Sequence, residues 1–551
     1  MTKHQRGADL VVRCLESAGI EYVFGIPGEE NLDLVDALQT SSIRFIVTRH
    51  EQAAAFMADV YARLTGRTGV CTATLGPGAT NLVTGVADAF LDRAPLLAIA
   101  GQGATSRLHK ESHQVINLEA LFANITKSSQ RISDSDAIAE TVAAALALSQ
   151  DPKPGPTFVV LPENIAAEPG RGQPLDPASV RLPRADATSV GDAVDMIARA
   201  VRPLLLIGNG VVRAGAIEAL NAFVERTGAP FTTTFMAKGS ISDRHPLALT
   251  TTGLSQDEST RCGFDRADLV VAIGYDLVEF DPAHWRGDTG RALLHIDSTA
   301  PELDRHYLPT LSLSGDIAAN LSLLNCALDA AGHVARADWA HELRDRVHRE
   351  FRLGQDSDAC PIKPQRLLHD LRRCLDDDAI LVSDVGAHKI WVAHQWPTYT
   401  ANSCIISNGF AAMGIGLPGA IAAKLAFPDR QVVTATGDAS LQMNAQELET
   451  ALRLGLALVV LVWNDGGYGL IEWHQKKRFG RSHDVHFGNP DLVAFAESFG
   501  ARGFRIETAA QLEPTLRKAL DCGTVAVIDC PVDYRENLQL DKRLGGLGCT
   551  S

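Results

Sequence analysis

The apolar residues of this chain come in short bursts that alternate between two periods. Ala8, Val11, Val12, Leu15 and Ala18 fall at helical spacing and Gly19 closes the run, which predicts an amphipathic first helix. Tyr22 to Gly25 reads as a strand running into Ile26-Pro27-Gly28. Leu32 to Leu38 reads as a helix, and Ile43 to Val47 as a strand leading into Thr48-Arg49-His50-Glu51. A small-residue apolar helix (AAAFMADVYARLTG) stops at Gly66. The strand Val70 to Thr74, the turn Leu75-Gly76-Pro77-Gly78, a helix opened by Thr80-Asn81 and the strand Leu96 to Ala100 continue the alternation. Apolar strands separated by helices predict α/β architecture with a doubly wound parallel sheet.

The same pattern restarts twice. Leu204 to Gly210, Leu269 to Gly274 and Leu293 to Asp297 read as buried strands of a Rossmann-like middle domain. Ile380 to Val382, Val432 to Thr436 and Leu456 to Trp463 belong to a third. A stretch rich in Pro, charge and small residues (167–190) reads as a linker, and 330–365 as a more charged connector with one helix. The expected domains are therefore 1–168, 190–330 and 365–540. Thr72-Ala73-Thr74-Leu75-Gly76, a helix and a strand echo Thr434-Ala435-Thr436-Gly437, a helix and a strand. Duplicated outer domains explain that echo; the general likeness of parallel α/β units explains it as well.

Length and composition agree with three cores. The chain has 551 residues, too many for a single one. A net charge of −15 argues against nucleic acid or an anionic membrane as partner. The 10 Cys are scattered without a CxxC pair, so they are expected to be reduced core residues, which points to the cytoplasm. No apolar leader opens the chain and no apolar run reaches the roughly 20 residues of a membrane span, so neither a signal peptide nor a transmembrane helix is expected.

Candidate chemistry concentrates between Val432 and Leu470. Two parallel strands joined by one right-handed crossover bring their C-terminal ends to the same sheet edge. Those ends carry Gly437-Asp438-Ala439-Ser440 and Asn464-Asp465-Gly466-Gly467. Asp438 and Asp465 either cap their loops or meet around one hard cation, such as Mg²⁺, which takes one or two carboxylates plus phosphate oxygens. In the middle domain, Gly208-Asn209-Gly210 lacks the third glycine of a dinucleotide fingerprint, the next being Gly215, so a hydride-transfer site is not expected.

Gly-Asp-x-Ser, a helix, an apolar strand and Asn-Asp-x-Gly-Tyr-Gly together resemble the cofactor motif of thiamine-diphosphate enzymes. That cofactor needs a metal to hold its diphosphate, an acid against its pyrimidine ring and a wedge that keeps it bent. The Gly turn at Gly437 meets the first need, with backbone N–H groups and a helix N-terminus facing the anion. Ser383-Asp384-Val385-Gly386-Ala387-His388 offers further phosphate contacts, although His388 alone also reads as an ordinary core or surface imidazole. Glu51, where a strand enters an apolar helix, is a poorly solvated acid able to share a proton with a ring nitrogen; alternatively it faces the helix dipole in solvent. Met413, among small residues in Ser407 to Pro418, fits the wedge or simply fills a core.

Taken in order, GIPG, RHEQAAAFMADVYARLTG, GPGATNL, HQ…TK, SDVGAHKIW, SNG…MGIGLP, GDAS and WNDGGYG resemble the acetolactate synthase branch of the pyruvate-oxidase-like thiamine-diphosphate enzymes over nearly the whole chain. The resemblance implies Glu51 as the acid on the pyrimidine, and Gln114 and Lys127 as groups working on substrate or intermediate. It implies Asp438, Asp465 and the Gly467 carbonyl as Mg²⁺ ligands. Pro27, Gly28, Gly78, Asn81, Val385, Gly386, Ala387, His388, Ala411, Met413, Gly437, Asp438, Ala439, Ser440, Asp465, Tyr468, Gly469 and Leu470 are implied around the cofactor. It further implies a homodimer, or a tetramer, whose sites take Glu51 from one subunit and the metal half from the other.

Four departures from the family pattern matter. Ala439 stands where the motif usually has Gly, and Asp465 where it usually has Asn. Gly274-Tyr275-Asp276-Leu277-Val278-Glu279-Phe280-Asp281-Pro282 replaces the Arg-Phe-Asp-Asp-Arg block of the flavin-binding biosynthetic enzymes, which is similar to the catabolic, FAD-independent branch and puts FAD in doubt. His474 stands near the Trp that sets acceptor preference, so the acceptor keto acid is unassigned. The expected reaction is decarboxylation of pyruvate and ligation to a second 2-keto acid, giving 2-acetolactate and CO₂. A different keto-acid carboligase, such as one acting on glyoxylate, and a non-catalytic cofactor-binding protein are the alternatives.

Overall fold

The computed structural model describes residues 5–176, 181–253, 259–286, 290–335 and 338–538. Residues 1–4 and 539–540 of the expected outer domains, 254–258 and 287–289 of the middle one, 177–180 of the linker and Cys549 lie outside the described residues. Three six-stranded sheets follow one another along the chain. The first contains β1 (Tyr22–Gly25), β2 (Arg44–Val47), β3 (Gly69–Ala73), β4 (Leu96–Gln102), β5 (Ser128–Arg131) and β6 (Pro156–Pro162), in the order β2-β1-β3-β4-β6-β5. The second contains β7 (Pro203–Ile207), β8 (Phe231–Thr233), β9 (Ala248–Thr251), β10 (Leu269–Ile273), β11 (Ala292–Asp297) and β12 (Leu311–Ser314), in the order β12-β11-β10-β7-β8-β9. The third contains β13 (Ile380–Ser383), β14 (Cys404–Ile406), β15 (Val432–Gly437), β16 (Leu458–Asn464), β17 (Arg502–Arg505) and β18 (Val525–Pro531), in the order β14-β13-β15-β16-β18-β17.

All strand pairs are parallel. Counted from its own first strand, each outer sheet has the same order, 2-1-3-4-6-5. The internal echo therefore extends to the winding. The middle sheet, read from its far edge, runs 3-2-1-4-5-6, the doubly wound order that places a crevice where the winding reverses, between β7 and β10.

Two helices differ from the sequence reading. The helix expected from Thr80-Asn81 starts at Pro77 and runs to Leu91. Proline suits a first helical position because its φ is preset and it has no N–H to orphan. Gly78 and Asn81 thus sit in the first turns of the helix. The single helix expected after Gly437 is two, Asp438–Asn444 and Glu447–Arg453. The break falls at Asn444, whose side-chain amide donates to the Gly414 carbonyl at 2.8 Å. Cysteine usage is also mixed: Cys14, Cys71, Cys374, Cys404 and Cys530 are buried, while Cys326 and Cys360 are exposed.

The outer domains share one core. Helix Glu51–Thr65, lined with Ala53, Ala54, Ala55 and Ala58, packs on helix Pro77–Leu91 and on helix Gly416–Ala426 of the third domain. Small side chains let these axes approach closely. A Cβ added to Gly419 would stand 3.1 Å from the Val60 side chain, and overpacking of such a contact costs about 1–3 kcal/mol. This packing fixes the helix that begins with Glu51. Among the described residues, no helix is long and apolar enough to cross a membrane.

Candidate active site

Strands β13, β15 and β16 end on one edge of the third sheet, and a cavity of about 180 Å³ lies over their ends. Val385, Gly386, Ala387, His388, Ala411, Met413, Gly437, Asp438, Ala439, Ser440, Asp465, Gly467, Tyr468, Gly469 and Leu470 all border it. Ile471 and Tyr534, which sequence reasoning did not select, complete the wall.

Asp438 opens its helix, and its carboxylate is held from both sides. Oδ1 accepts the Ala439 N–H at 2.8 Å, and Oδ2 accepts the Gly466 N–H at 2.8 Å and the Asn489 amide at 2.6 Å. Asn489 also donates to Asn464 Oδ1 (3.1 Å), and Asn464 in turn donates to Asp529 (2.8 Å), so a polar chain fixes both acidic turns. Asn489 was invisible in sequence because it lies in a loop far from either turn. Burial, with Asp438 and Glu472 nearby, pushes Asp465 up to about 8, and burial raises Asp438 as well. Two carboxylates crowded together at low solvation favour either protons or a divalent cation.

His388 lies in the first turn of helix Ala387–Gln395. Burial lowers its pKa to about 3, so the imidazole is neutral, and its Nε2 is buried without a hydrogen-bond partner. The approach to this ring is tight: a Cβ on Gly386 would stand 2.7 Å from His388 Cε1, and one on Gly469 2.5 Å from Asp465 Oδ2. Backbone without side chains, one unpartnered ring nitrogen and two acids fit a diphosphate held through a metal.

The wedge segment is braced from beneath. Asp384, fully buried, accepts the N–H groups of Val385 (2.7 Å), Gly414 (2.8 Å) and Gly416 (2.9 Å) and the Thr436 hydroxyl (3.1 Å). Ala411 adopts φ 57, a conformation that costs a residue with a side chain about 1 kcal/mol and is held by its surroundings. Met413 is only partly buried and projects onto the cavity.

A second cluster forms on the corresponding edge of the first sheet. Glu51, 8% exposed, is the first residue of its helix, and its Oε2 accepts the Asn81 amide at 2.9 Å. A Cβ on Gly78 would stand 3.3 Å from Glu51 Oε1, and one on Gly28 would meet Thr74 at 2.5 Å. Pro27 leads into Gly28, and the Gln114 backbone packs on Gly76. Glu51, Pro27, Gly28, Gly78, Asn81 and Gln114 therefore share one edge. None of them borders the 180 Å³ cavity.

Lys127 does not join them. It precedes β5, at the N-terminal edge of the sheet, and its ammonium donates to the Asp151 (2.7 Å) and Lys153 (3.0 Å) carbonyls. Parallel strands put residues just before and just after a strand on opposite edges, so Lys127 braces a loop rather than reaching toward Glu51. The expectation that it works on substrate is corrected by that position.

The two clusters are joined through the protein. Glu447, fully buried in the third domain, accepts the backbone N–H groups of Arg49 (2.9 Å) and His50 (3.1 Å), just before Glu51. Asp88 accepts the Ser407 hydroxyl (2.7 Å) and the Ala412 N–H (3.2 Å). Asp92 accepts the Gly409 N–H (2.6 Å) and pairs with Arg63 (3.1 Å).

The middle-domain crevice is filled by the chain itself. The Asn209 N–H, at the turn after β7, points at both Glu279 carboxylate oxygens (3.1 Å each). A Cβ on Gly210 would stand 2.7 Å from Gly274. Asp276 pairs with Arg213 at 2.7 Å and with Lys153. Where a dinucleotide's phosphates would accept, carboxylates of the protein already do, and these residues do not fit FAD.

Comparison with known proteins agrees with this architecture. Residues 5–121 match the thiamine pyrophosphate enzyme N-terminal TPP binding domain, 190–324 the central domain and 384–530 the C-terminal TPP binding domain. The chain is 35% identical to an acetolactate synthase of Bacillus subtilis, over 97% of this chain and 94% of that protein. It is 36% identical to a catabolic acetolactate synthase of Raoultella terrigena, over 97% of each chain. It is 32% identical to the large subunit of acetolactate synthase isozyme 1 of Escherichia coli, over 97% of this chain and 95% of that one.

Proposed function

The chain belongs to the acetolactate synthases of the thiamine pyrophosphate enzyme family, and from that premise we propose that it takes pyruvate as donor and works as a homodimer with Mg²⁺ in each shared site. It is a thiamine-diphosphate enzyme that forms 2-acetolactate by carboligation. The observation that carries the fuller reading is the convergence of Asp438, Asp465, Gly467 and His388 on one cavity of about 180 Å³.

When bound, thiamine diphosphate supplies the electron sink for loss of CO₂ and the carbanion chemistry of the new carbon–carbon bond. Asp438, Asp465 and the Gly467 carbonyl would hold Mg²⁺. Backbone from Val385 to Ala387, with His388, Ala439 and Ser440, would hold the diphosphate. Met413, set by the strained Ala411 backbone and by Asp384, supports the bend between the cofactor's rings. Glu51, oriented by the Asn81 amide on its Oε2, would present its Oε1 to the pyrimidine nitrogen. Gln114, on the edge that carries Glu51, would act on substrate; the apolar Met413, Tyr468, Leu470 and Ile471 would exclude water, which favours ligation over release of an aldehyde.

Shared sites are favoured because the Glu51 cluster and the metal cavity do not meet within one chain. Phe410, Met443, Tyr468 and Ile471 in the third domain, and Leu32, Ile116 and Leu121 in the first, are apolar and more than a third exposed. A second copy covering them would bring Glu51 to the cavity. The filled crevice supports a site without flavin.

The test is direct. Purified protein with pyruvate, thiamine diphosphate and Mg²⁺ is expected to release CO₂ and accumulate acetolactate, with no flavin absorbance. Failure to form acetolactate from pyruvate would overturn the substrate assignment.

A further inference from the structure

A second cavity, of about 290 Å³, lies where all three domains meet. Its wall includes Arg63 at the end of the Glu51 helix, Arg93 before β4, Gln150, Asn209 and Arg213 after β7, and Asn402 before β14. It includes three arginines and no Asp or Glu, in a chain whose net charge is −15. A wall with cationic and no anionic side chains favours an anion as its occupant.

The arginines are not equally engaged. Arg63 is matched by Asp92 at 3.1 Å and Arg213 by Asp276 at 2.7 Å. Arg93 has no ion pair among the described residues, its Nε is buried without a hydrogen bond, and Arg213 Nη1 is likewise buried and unpartnered. Buried guanidinium donors left without acceptors are unfavourable until a partner arrives. Arg93 also holds φ 58, a strained backbone for a non-glycine residue. The volume, at the small end of the roughly 300–1,000 Å³ of ligand pockets, has room for a phosphate group or a short dicarboxylate with several waters.

We propose that this three-domain cavity is a binding site for a small dianion, carrying phosphate or paired carboxylates, with Arg93 as its principal fork. Guanidinium forks match planar and tetrahedral oxyanions two bonds at a time. The anion ties the far end of the Glu51 helix to the middle domain, so binding stabilises the arrangement of domains without touching the reacting atoms. The site is separate from the thiamine-diphosphate cavity and does not depend on which keto acid the enzyme uses.

Calorimetric titration of the enzyme loaded with thiamine diphosphate and Mg²⁺, which blocks the diphosphate site, tests this with inorganic phosphate and, separately, succinate. One saturable site per chain is expected for at least one anion. Phosphate alone indicates a phosphate-bearing ligand, and succinate alone a dicarboxylate. Arg93→Gln is expected to weaken binding by about tenfold or more, the size of one charge-assisted hydrogen bond, while acetolactate formation without added anion stays at the wild-type rate. Arg93→Lys, which keeps the charge and loses the fork, is a second variant expected to bind more weakly than wild type. No saturable binding of either anion, or wild-type affinity in both variants, overturns the proposal.

Discussion

The two outer domains are wound alike and charged differently. In the first sheet, β3 runs into Leu75-Gly76-Pro77-Gly78 and β4 ends at Gln102, without an ionisable group at either turn. In the third, the corresponding strands β15 and β16 run into Asp438 and Asp465. After the edge strand the assignment reverses: β2 leads to Glu51, while β14 leads to Ser407 and on to Met413. Winding fixes where ligand groups collect, at the C-terminal strand edge. The residues at each turn decide whether that edge holds a cation and phosphate or a neutral ring that needs one proton. A duplicated fold thus yields two complementary halves.

Removing the charges from the third domain should break that comparison most severely. Asp438→Ala takes away a proposed metal ligand and unsettles the Gly466 and Asn489 contacts that hold the second turn. Loss of a metal that clamps phosphate is expected to lower kcat/KM by roughly a thousandfold or more. Mg²⁺-dependent cofactor binding, followed by fluorescence, should vanish with it. Asp465→Asn retains an oxygen ligand and removes one of the crowded charges. Here we expect turnover within about tenfold of wild type and a weaker Mg²⁺ requirement curve; equal damage from both variants would mean that the two acids do not act as a ligand pair.

Glu51→Gln tests the other half. It keeps the shape of the side chain and removes the carboxyl proposed to act on the pyrimidine, so kcat should fall by about 10²–10⁴ while cofactor affinity changes little. The sharpest version mixes the two defects. If the halves meet across a dimer, combining Glu51→Gln and Asp438→Ala chains should regenerate activity, because one site of each mixed dimer has both intact residues. Absence of recovery after verified subunit exchange would place both residues in one chain.

How far these halves could be read from sequence follows from burial. Strands β3, β4, β7, β10, β15 and β16 are apolar on both faces and announce themselves. The edge strands β5 (SSQR) and β17 (RGFR) are short and polar, because only one side pairs and much of each meets solvent. Turn residues such as Asp438 and Glu51 were legible because strand ends fix their edge. Lys127 was misread because a motif match says nothing about which end of a strand a residue occupies. Asn489 acts through hydrogen bonds to distant side chains, and Glu447 and Asp384 through hydrogen bonds to distant backbone; no local pattern encodes such partners.

The seam between the halves should be less sensitive, and unequally so. Asp59 and Asp88 are fully buried neighbours; burial raises both, Asp88 to about 7, and neither Asp59 oxygen has a hydrogen-bond partner. Burial beside a like charge favours the protonated form of the pair, most strongly at Asp59. Asp88→Asn removes the crowded charge that Asp88 can carry and preserves the Ser407 and Ala412 contacts on its oxygen, with kcat expected within about threefold of wild type. Asp92→Asn leaves buried Arg63 unbalanced and should cost about 3–5 kcal/mol in urea unfolding. If both variants behave alike, the proton is not where this reading puts it.

The smallest effect is expected at Glu447, and its sign is what matters. Burial pushes this carboxyl up to about 7, against the hydrogen bonds from Thr450, Arg49 and His50 that favour its charge. Between the unfolded value of 4.5 and about 7, the folded chain binds the extra proton. Its contribution to stability is therefore fully present below 4.5 and is lost as pH rises through about 7, by up to about 3 kcal/mol. Glu447→Gln keeps an oxygen for the Arg49 and His50 N–H groups and an amide for the Thr450 hydroxyl, and it cannot ionise. The variant should match wild type near pH 5, be more stable than wild type at pH 8, and change kcat at pH 6 by less than about twofold. Parallel stability curves for the two proteins between pH 5 and 8 would mean that Glu447 ionises as freely in the folded chain as in the unfolded one, and that the turn bearing Glu51 is held by an ordinary carboxylate.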